Sequence, residues 1–251
     1  MIYFVGAGSG APDLITVRGA RLLSEADVIV YAGSLVNPAL LDYKKDRCEV
    51  YNSAKMTLEE VIAVMAPAAK AGKTVVRLHT GDPCVYGAHR EQMDELDRLG
   101  LAYEVCPGVS SFCAAAAAPK AEYTLPNVSQ SVILTRMEGR TPVPEKEQIE
   151  SFAAHGATMV IFLSAGQLAR LSERLIAGGY APDTPAAIVY KATWPDEKVV
   201  RTTVAALAEA GAREGITKTA LITVGGFLGT EYERSKLYDP TFTTEFREAS
   251  R

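Results

Sequence analysis

The chain has 251 residues, of which 48% are hydrophobic and 22% charged, and its formal net charge is −4. These values are typical of a soluble globular enzyme with one large or two small domains. An excess of acidic residues (30 against 26 basic) argues against a general nucleic-acid binder, although a local arginine cluster could still hold an acidic ligand. No apolar run approaches the length of a membrane span.

The four cysteines form no CxxC pair, and the three histidines form no HExxH or other metal spacing. The chain opens directly into an apolar segment, Ile2–Val5, without a visible secretory leader. We therefore expect no metal site, no membrane association and a reduced, cytoplasmic setting.

The first half of the chain alternates predicted strands with predicted helices. The strands are Ile2–Val5, Val28–Tyr31, Val75–Leu78 and Tyr103–Cys106. Helices are predicted over Leu14–Ala26, from Thr57, from about Ala88 to Gly100, and after Pro107 to about Ala118. Thr57 and Glu60 have capping-box spacing, and Pro67 is expected to kink or end the helix that they begin.

The second half contains five further predicted strands with helices between them. They are Val132–Thr135, Met159–Leu163, Ala187–Tyr190, Val199–Thr203 and Ala220–Val224. The turn-rich link Thr193–Glu197 could close a hairpin. We predict two α/β domains, residues 1–118 and 119–230, each a mainly parallel or mixed sheet flanked by helices, and a polar tail over residues 231–251 that packs loosely.

The most informative motif is the turn Thr80–Gly87, which follows an apolar strand and precedes a helix. Ligands bind at the carboxyl ends of strands in open α/β sheets. A glycine allows close backbone approach, and Asp82 offers a carboxylate acceptor, although it could instead only cap the helix. A second polar turn, Pro107–Ser111, offers hydroxyls and amides, with capping again as the alternative. Two such turns after two strands favour a shared cleft.

The N-terminal loop Gly6–Ala11 suggests a dinucleotide fingerprint because it follows a strand and leads toward a helix. However, Pro12 follows at once, and the second strand ends without the carboxylate that holds a ribose. A packing turn, a direct contact with cofactor or substrate, and a nicotinamide site stay open. Downstream, Arg136 and Arg140 could bind carboxylates, or could simply be solvated.

Together these segments resemble the tetrapyrrole (precorrin/corrin) methyltransferase family. The resemblance covers roughly residues 1–228 and is carried by Val5–Thr16, Thr80–Gly87, Pro107–Ser111, Ile133–Arg136, Glu138–Glu145 and Tyr190–Lys198. The last two segments resemble the branch that methylates precorrin-4, or its cobalt form, at C11. Ser9 stands where the family usually has proline. Ala32 and Gly33 follow Tyr31 where the uroporphyrinogen-III branch has an aspartate, which favours a later corrin-pathway step.

The resemblance implies a homodimer of two-domain α/β subunits acting in cobalamin biosynthesis. It implies S-adenosylmethionine folded in a cleft between the domains, S-adenosylhomocysteine as product, and a tetrapyrrole in a trough beside it. The implied cofactor contacts are Thr80, Gly81, Asp82, Val85, Tyr86, Ser110, Ser111, Leu163 and Ala192. The expected substrate-binding residues are Gly8, Ser9, Arg136, Arg140 and Lys191, with Arg18 and Arg77 as further candidates for a basic trough.

No catalytic dyad stands out, and we expect positioning to supply most of the rate. His79 could carry a proton, but a structural histidine is the more common case. Within the family, another precorrin or uroporphyrinogen-III methyltransferase is the alternative. From other classes, a nicotinamide-dependent oxidoreductase and a non-catalytic tetrapyrrole carrier stay open.

Overall fold

The computed structural model describes residues 1–250, which form two compact units. The N-terminal unit contains Met1–Ala114 together with Ala192–Asp196. The C-terminal unit contains Ala115–Lys191 and the residues from Glu197 onward. The predicted ranges placed the short segment Ala192–Asp196 in the second domain, whereas it belongs to the first unit.

The N-terminal unit is built on a five-stranded parallel sheet with the strand order β3-β2-β4-β1-β5. Its strands are β1 (Ile2–Gly6), β2 (Val28–Tyr31), β3 (Glu49–Asn52), β4 (Val75–His79) and β5 (Tyr103–Cys106). The central strand β4 is buried at every position, as a parallel strand covered on both faces should be. The edge strand β3 was not predicted, because most of its residues are exposed and it has no apolar run.

Three helices belong to this unit: α1 (Val17–Glu25), α2 (Leu58–Lys70) and α3 (Arg90–Arg98). A fourth, α4 (Ser111–Ala117), contains the point at which the first unit ends and the second begins. The predicted capping box at Thr57 is confirmed. The expectation for Pro67 was wrong in one respect, because α2 continues past it to Lys70. Pro67 and Ala63 are both exposed, so the carbonyl that loses its helical partner can bond to water. Helix α1 begins later than predicted, because the Thr16 side chain caps it through the amide of Gly19.

The C-terminal unit is built on a mixed five-stranded sheet with the order β6-β7-β10-β8-β9. Its strands are β6 (Val132–Arg136), β7 (Thr158–Phe162), β8 (Pro185–Tyr190), β9 (Lys198–Thr203) and β10 (Ala220–Val224). Strands β6 and β7 are parallel, and the other pairs are antiparallel. The predicted β8–β9 hairpin is confirmed. The helices are α5 (Ile149–Ala153), α6 (Leu168–Ala177) and α7 (Leu207–Arg213).

Each sheet packs helices against an apolar core, which confirms the predicted α/β class. Over residues 231–250 the chain is mostly exposed and contains one short 3-10 turn, Lys236–Tyr238. Within residues 1–250, no helix has the length and apolar character that a membrane span requires.

Candidate functional site

In the N-terminal unit, three loops meet at the carboxyl edge of the parallel sheet. They follow β1, β4 and β5 and comprise residues 7–11, 80–87 and 107–110; we refer to them as the carboxyl-edge loops. The amide of Gly8 donates to the carbonyl of Gly81 at 3.2 Å, and the amide of Gly81 donates to the carbonyl of Gly8 at 3.0 Å. The first two loops are therefore joined by a backbone bridge.

At this edge the backbones approach each other too closely for side chains at two positions, Gly6 at the end of β1 and Gly108 in the third loop. A Cβ on Gly108 would lie 2.3 Å from the carbonyl oxygen of Gly81 and 2.7 Å from the Cα of Gly6. A Cβ on Gly6 would lie 2.6 Å from that same Gly81 oxygen. Only glycine fits such a contact between backbones. Sequence reasoning missed this role of Gly6 and Gly108, because the contact joins residues about a hundred positions apart.

Asp82 ties the second loop to the third. Its Oδ1 accepts from the amide of Cys84 and its Oδ2 from the amide of Gly108, both at 2.8 Å. Burial raises the pKa of the Asp82 carboxyl, but hydrogen bonds from Cys84 and Gly108 outweigh burial and hold that pKa below its usual value. The alternative of a helix cap for Asp82 is wrong, since α3 begins at Arg90 without a side-chain cap.

The end of the second loop has an unusual backbone. Tyr86 (φ 56°) and Ala88 (φ 46°) are both in the left-handed region, which side chains other than glycine rarely adopt. Between them, a Cβ on Gly87 would lie 2.1 Å from the carbonyl oxygen of Pro83. Strained backbone of this kind concentrates at ligand clamps and active sites. The Tyr86 side chain is 47% exposed, and Val85 is half-buried.

Most of the predicted cofactor residues lie in these loops. A Cβ on Gly81 would lie 3.5 Å from the Cα of Ser110 and from the amide nitrogen of Ser111, so these two turns are neighbours. Ser110 is buried, and Ser111 begins α4. Thr80 is half-buried directly after β4.

The segment Ala192–Asp196 covers the loop that follows β1. The Thr193 Oγ1 accepts from the amide of Ala11 at 2.9 Å and lies 3.3 Å from the Oγ of Ser9. A Cβ on Gly10 would lie 2.3 Å from the indole of Trp194 and 2.9 Å from the carbonyl oxygen of Ala192. The single tryptophan is therefore half-buried against the glycine loop rather than in a core.

The other predicted residues belong to the C-terminal unit. Leu163 follows β7 with a left-handed backbone (φ 54°) and is 65% exposed. Lys191 follows β8, and its Nζ lies 5.3 Å from the ring centroid of Tyr190. Arg136 ends β6, and Arg140 is exposed.

Arg136 and Arg140 lie in the segment Arg136–Pro142, which we call the arginine loop. The Arg136 guanidinium donates to the carbonyls of Met137, Thr141 and Pro142 at 3.1, 3.3 and 2.7 Å. Arg136 thus uses most of its donors to hold the backbone of its own loop. Nothing in the sequence signalled this, because backbone acceptors leave no pattern.

Two further basic candidates, Arg18 and Arg77, bind other groups of the N-terminal unit. Arg18 pairs with Glu104 at 2.5 Å on the surface. Arg77 is 6% exposed and donates to Gln92 and to the carbonyl of Val30, so it does not line an open trough. His79 is also buried; burial, with Arg77 and His89 nearby, lowers its pKa to about 3, and its Nε2 has no partner. His79 is therefore neutral at physiological pH.

A cavity of about 330 Å³ lies away from the carboxyl-edge loops, between α2 and the edge strand β3. Its polar side chains bind each other: the Lys73 Nζ lies 2.7 Å from Glu49, and the Tyr51 hydroxyl donates to the same carboxylate at 3.0 Å. We therefore place the candidate site at the carboxyl-edge loops and not in this cavity.

These observations define an α/β protein with two sheets. At the carboxyl edge of its parallel sheet, polar loops meet through close glycine contacts. Residues 1–208 match the sequence model of the Tetrapyrrole (Corrin/Porphyrin) Methylases, and the chain belongs to this family. It is 55% identical over 249 residues to a cobalt-precorrin-4 C(11)-methyltransferase of Methanocaldococcus jannaschii, covering 99% of this chain and 96% of that protein.

Two solved structures extend the comparison. An X-ray structure of cobalt precorrin-4 methyltransferase, described as a cobalamin biosynthetic enzyme, superposes with a TM-score of 0.89 at 50% identity, covering 91% of this chain and 96% of that one. Uroporphyrin-III C-methyltransferase of Thermus thermophilus, complexed with S-adenosylhomocysteine, gives a TM-score of 0.76 at 28% identity, covering 90% and 92%. The chain is a methyltransferase, which sets aside the oxidoreductase and the non-catalytic carrier.

Proposed function

We propose that this protein transfers a methyl group from S-adenosylmethionine to C11 of cobalt-precorrin-4, or of metal-free precorrin-4, in cobalamin biosynthesis. The proposal rests on the 55% identity, over 249 residues, to a relative that is named a cobalt-precorrin-4 C(11)-methyltransferase. The missing aspartate after Tyr31, where Ala32 and Gly33 stand, supports this step over methylation of uroporphyrinogen III.

The carboxyl-edge loops have features that suit S-adenosylmethionine. The backbone at Gly81 can approach a ligand without a Cβ, and Asp82 offers an ionised, half-buried carboxylate to a cationic ligand. A carboxylate has about four acceptor sites, so the two amides and the Cys84 thiol that bind Asp82 leave capacity for a ligand donor. The exposed ring of Tyr86 could stack on a base. Our proposed cofactor contacts are Thr80, Gly81, Asp82, Val85, Tyr86, Ser110, Ser111, Leu163 and Ala192.

When bound, S-adenosylmethionine supplies an electrophilic methyl group on its sulfonium. The task of the chain is then to bind and orient two reactants, and orientation alone can be worth roughly 7–11 kcal/mol of the barrier. His79 is buried and neutral and does not serve as the base in this proposal. We assign substrate contacts to Gly8, Ser9, Arg140 and Lys191, and we give Arg136 the task of shaping the arginine loop beside Arg140.

Calorimetric titration with S-adenosylhomocysteine tests the cofactor. We expect binding at micromolar levels, weakened at least tenfold by Asp82→Ala, because that change removes a charge and frees the turn at Gly108. Asp183→Asn, at an exposed aspartate of the C-terminal unit, is the control and should bind like the parent. Absence of binding by the parent at micromolar levels would sink the cofactor assignment. Full affinity in Asp82→Ala would reduce Asp82 to a turn residue.

Turnover with precorrin-4 and with its cobalt form tests the substrate. We expect one new methyl group from labelled S-adenosylmethionine, located at C11 by NMR. The ratio of kcat/KM for the two forms decides between the cobalt-containing and the metal-free route. A methyl group on another carbon would keep the methyltransferase and discard the C11 assignment.

We further propose that the protein acts as a homodimer in a reducing, cytoplasmic setting. Cys84 and Cys113 are exposed thiols, which a reducing setting would protect from oxidation. Sedimentation under reducing conditions tests the assembly, and a monomer at micromolar concentration would contradict it.

A further inference from the structure

A buried polar relay lies behind the second carboxyl-edge loop. Arg77 on β4 and Gln92 on α3 are each 6% exposed. The Arg77 Nε donates to the Gln92 Oε1 at 2.9 Å, and its Nη1 donates to the carbonyl of Val30 at 3.1 Å. The Gln92 Nε2 donates in turn to the carbonyl of Ala88 at 2.9 Å. This chain of hydrogen bonds, which we call the relay, thus connects Arg77 in the sheet, through Gln92, to Ala88, the residue before the N-cap of α3.

The chemistry of the partners fixes the orientation of the Gln92 amide. A guanidinium only donates and a carbonyl only accepts, so the oxygen must face Arg77 and the nitrogen must face Ala88. Burial lowers the pKa of Arg77 to about 10, so the guanidinium stays protonated at neutral pH. A buried charge among uncharged acceptors is costly, and an apolar pair could fill the same space. The relay therefore needs a reason beyond packing.

The turn at the end of the relay supplies that reason. Ala88 and Tyr86 both have left-handed backbone, and the carbonyl of Gly87 between them accepts a hydrogen bond from the imidazole of His79. Such a backbone persists only where the surroundings over-determine it. Gln92 and His79 together hold both Gly87 and Ala88, and thereby the direction in which Tyr86 leaves the loop.

We propose that Gln92, supported by Arg77, is a positioning residue that holds the left-handed turn Tyr86–Ala88 in the shape that binds the cofactor. The inference rests on the proposed function, in which this loop binds S-adenosylmethionine. Gln92 touches no reacting atom in this role; it acts through Ala88.

The variant Gln92→Glu separates the two ends of the relay. Glutamate keeps an acceptor for Arg77 but places a carboxylate oxygen against the Ala88 carbonyl, so the loop contact turns repulsive while the support of Arg77 survives. We expect the Kd for S-adenosylhomocysteine to rise at least tenfold, kcat at saturating cofactor to stay within threefold, and the melting temperature to change by less than about 3 °C.

Gln130→Glu is the matched control. Gln130 is exposed, lies in the C-terminal unit, and also donates its amide to a backbone carbonyl, that of Ser129 at 3.3 Å. It adds the same charge, and we expect no change in affinity. A Gln92→Glu variant that binds within twofold of the parent would overturn the proposal and leave Gln92 as a partner of Arg77 only.

A second variant covers the case in which Gln92→Glu does not fold. The double change Arg77→Leu with Gln92→Leu removes the buried charge together with its partner and leaves the Ala88 carbonyl without its donor. We expect the same tenfold loss of affinity. Affinity equal to that of the parent would overturn the proposal here too.

Backbone order parameters measured by ¹⁵N relaxation without any ligand separate this inference from the proposed function. The order parameters of residues 86–88 should fall from about 0.85 to below about 0.6 in Gln92→Glu, or in the double variant. Unchanged order parameters would overturn the positioning role whatever the ligand is. If instead they fall but the parent binds no S-adenosylhomocysteine, the positioning role stands and the cofactor assignment fails.

Discussion

The carboxyl-edge loops of the N-terminal unit and the arginine loop of the C-terminal unit are held in shape by different forces. The first are fastened by a backbone bridge between Gly8 and Gly81, by glycine contacts, and by one carboxylate, Asp82. The second is fastened by charge. Arg136 binds its own carbonyls, and Glu138 accepts from Arg174 at 2.6 Å.

Most charged side chains in and around the arginine loop bind other groups of the protein. Arg174 also donates to Glu150 at 2.6 Å and to Gln148 at 2.7 Å, and Arg170 donates to Glu138. Burial raises the pKa of Glu138, yet Arg174 and Arg170 hold it below its usual value. A basic loop is therefore weak evidence for an acidic ligand until its partners are known. Close backbone contacts, in contrast, leave polar groups free to face a ligand.

The largest effect should come from adding a methyl group to the carboxyl-edge loops. Gly108→Ala forces a Cβ into backbone atoms that cannot move aside, and we expect a loss of about 3 kcal/mol in unfolding free energy together with loss of S-adenosylhomocysteine binding. Urea denaturation and calorimetry measure the two. Gly139→Ala in the arginine loop is the matched control, because its Cβ would meet only the Gln167 amide at 3.6 Å. Equal effects at both glycines would break the comparison.

Removing the Arg174 guanidinium, which binds Glu138 of the arginine loop, should lower stability and leave cofactor binding unchanged. Arg174→Met leaves Glu138 and Glu150 without their shared partner, and since the arginine side chain is only 19% exposed we expect a loss of about 2 kcal/mol. Urea denaturation measures it. A tenfold fall in S-adenosylhomocysteine affinity in the folded variant would show that the two regions are not independent.

His79 should make stability depend on pH. Its pKa is lowered from 6.5 to about 3 in the folded chain, so below pH 6.5 the unfolded chain binds a proton that the folded chain does not. Stability is therefore full above pH 6.5 and falls as pH drops toward 3, by about 1 kcal/mol per pH unit. His79→Gln should flatten this slope in urea denaturation between pH 6.5 and 5. The control His155→Gln, at an exposed histidine, should keep it.

The smallest effect on stability should come from Arg140. This side chain is exposed, so Arg140→Ala should leave the melting temperature unchanged and raise only the KM for the tetrapyrrole, by about threefold to tenfold. Arg136→Ala should lower the melting temperature as well, because three carbonyls lose their donor. Steady-state kinetics with thermal unfolding separates them. A KM unchanged in both variants would remove the arginine loop from substrate binding.

Sequence periodicity was enough for the strands that are buried on both faces. β2 is a continuous apolar run, and β4 is apolar apart from Arg77 and His79, so both strands are predicted; β3 is missed because exposed residues such as Glu49 and Tyr51 give it no such run. Helix α2 was found through Thr57, yet its end was misjudged, because whether Pro67 breaks a helix depends on which side faces solvent.

For the candidate site, local patterns found the turns but not what joins them. Thr80–Gly87 and Pro107–Ser111 were recognisable because each follows a strand. The bond from Ala11 to Thr193 spans 182 positions, and no local pattern encodes it. The same holds for the approach of Gly108 to Gly6, since both contacts exist only after the chain has folded.

Trp194 has a consequence for experiment. As the single tryptophan of the chain, it is the sole indole emitter, and its ring lies against Gly10 in the loop after β1. Half-buried aromatic rings change emission when their surroundings change polarity. Native fluorescence of the unlabelled protein therefore reports on one known loop, and it allows movements of that loop to be timed after rapid mixing.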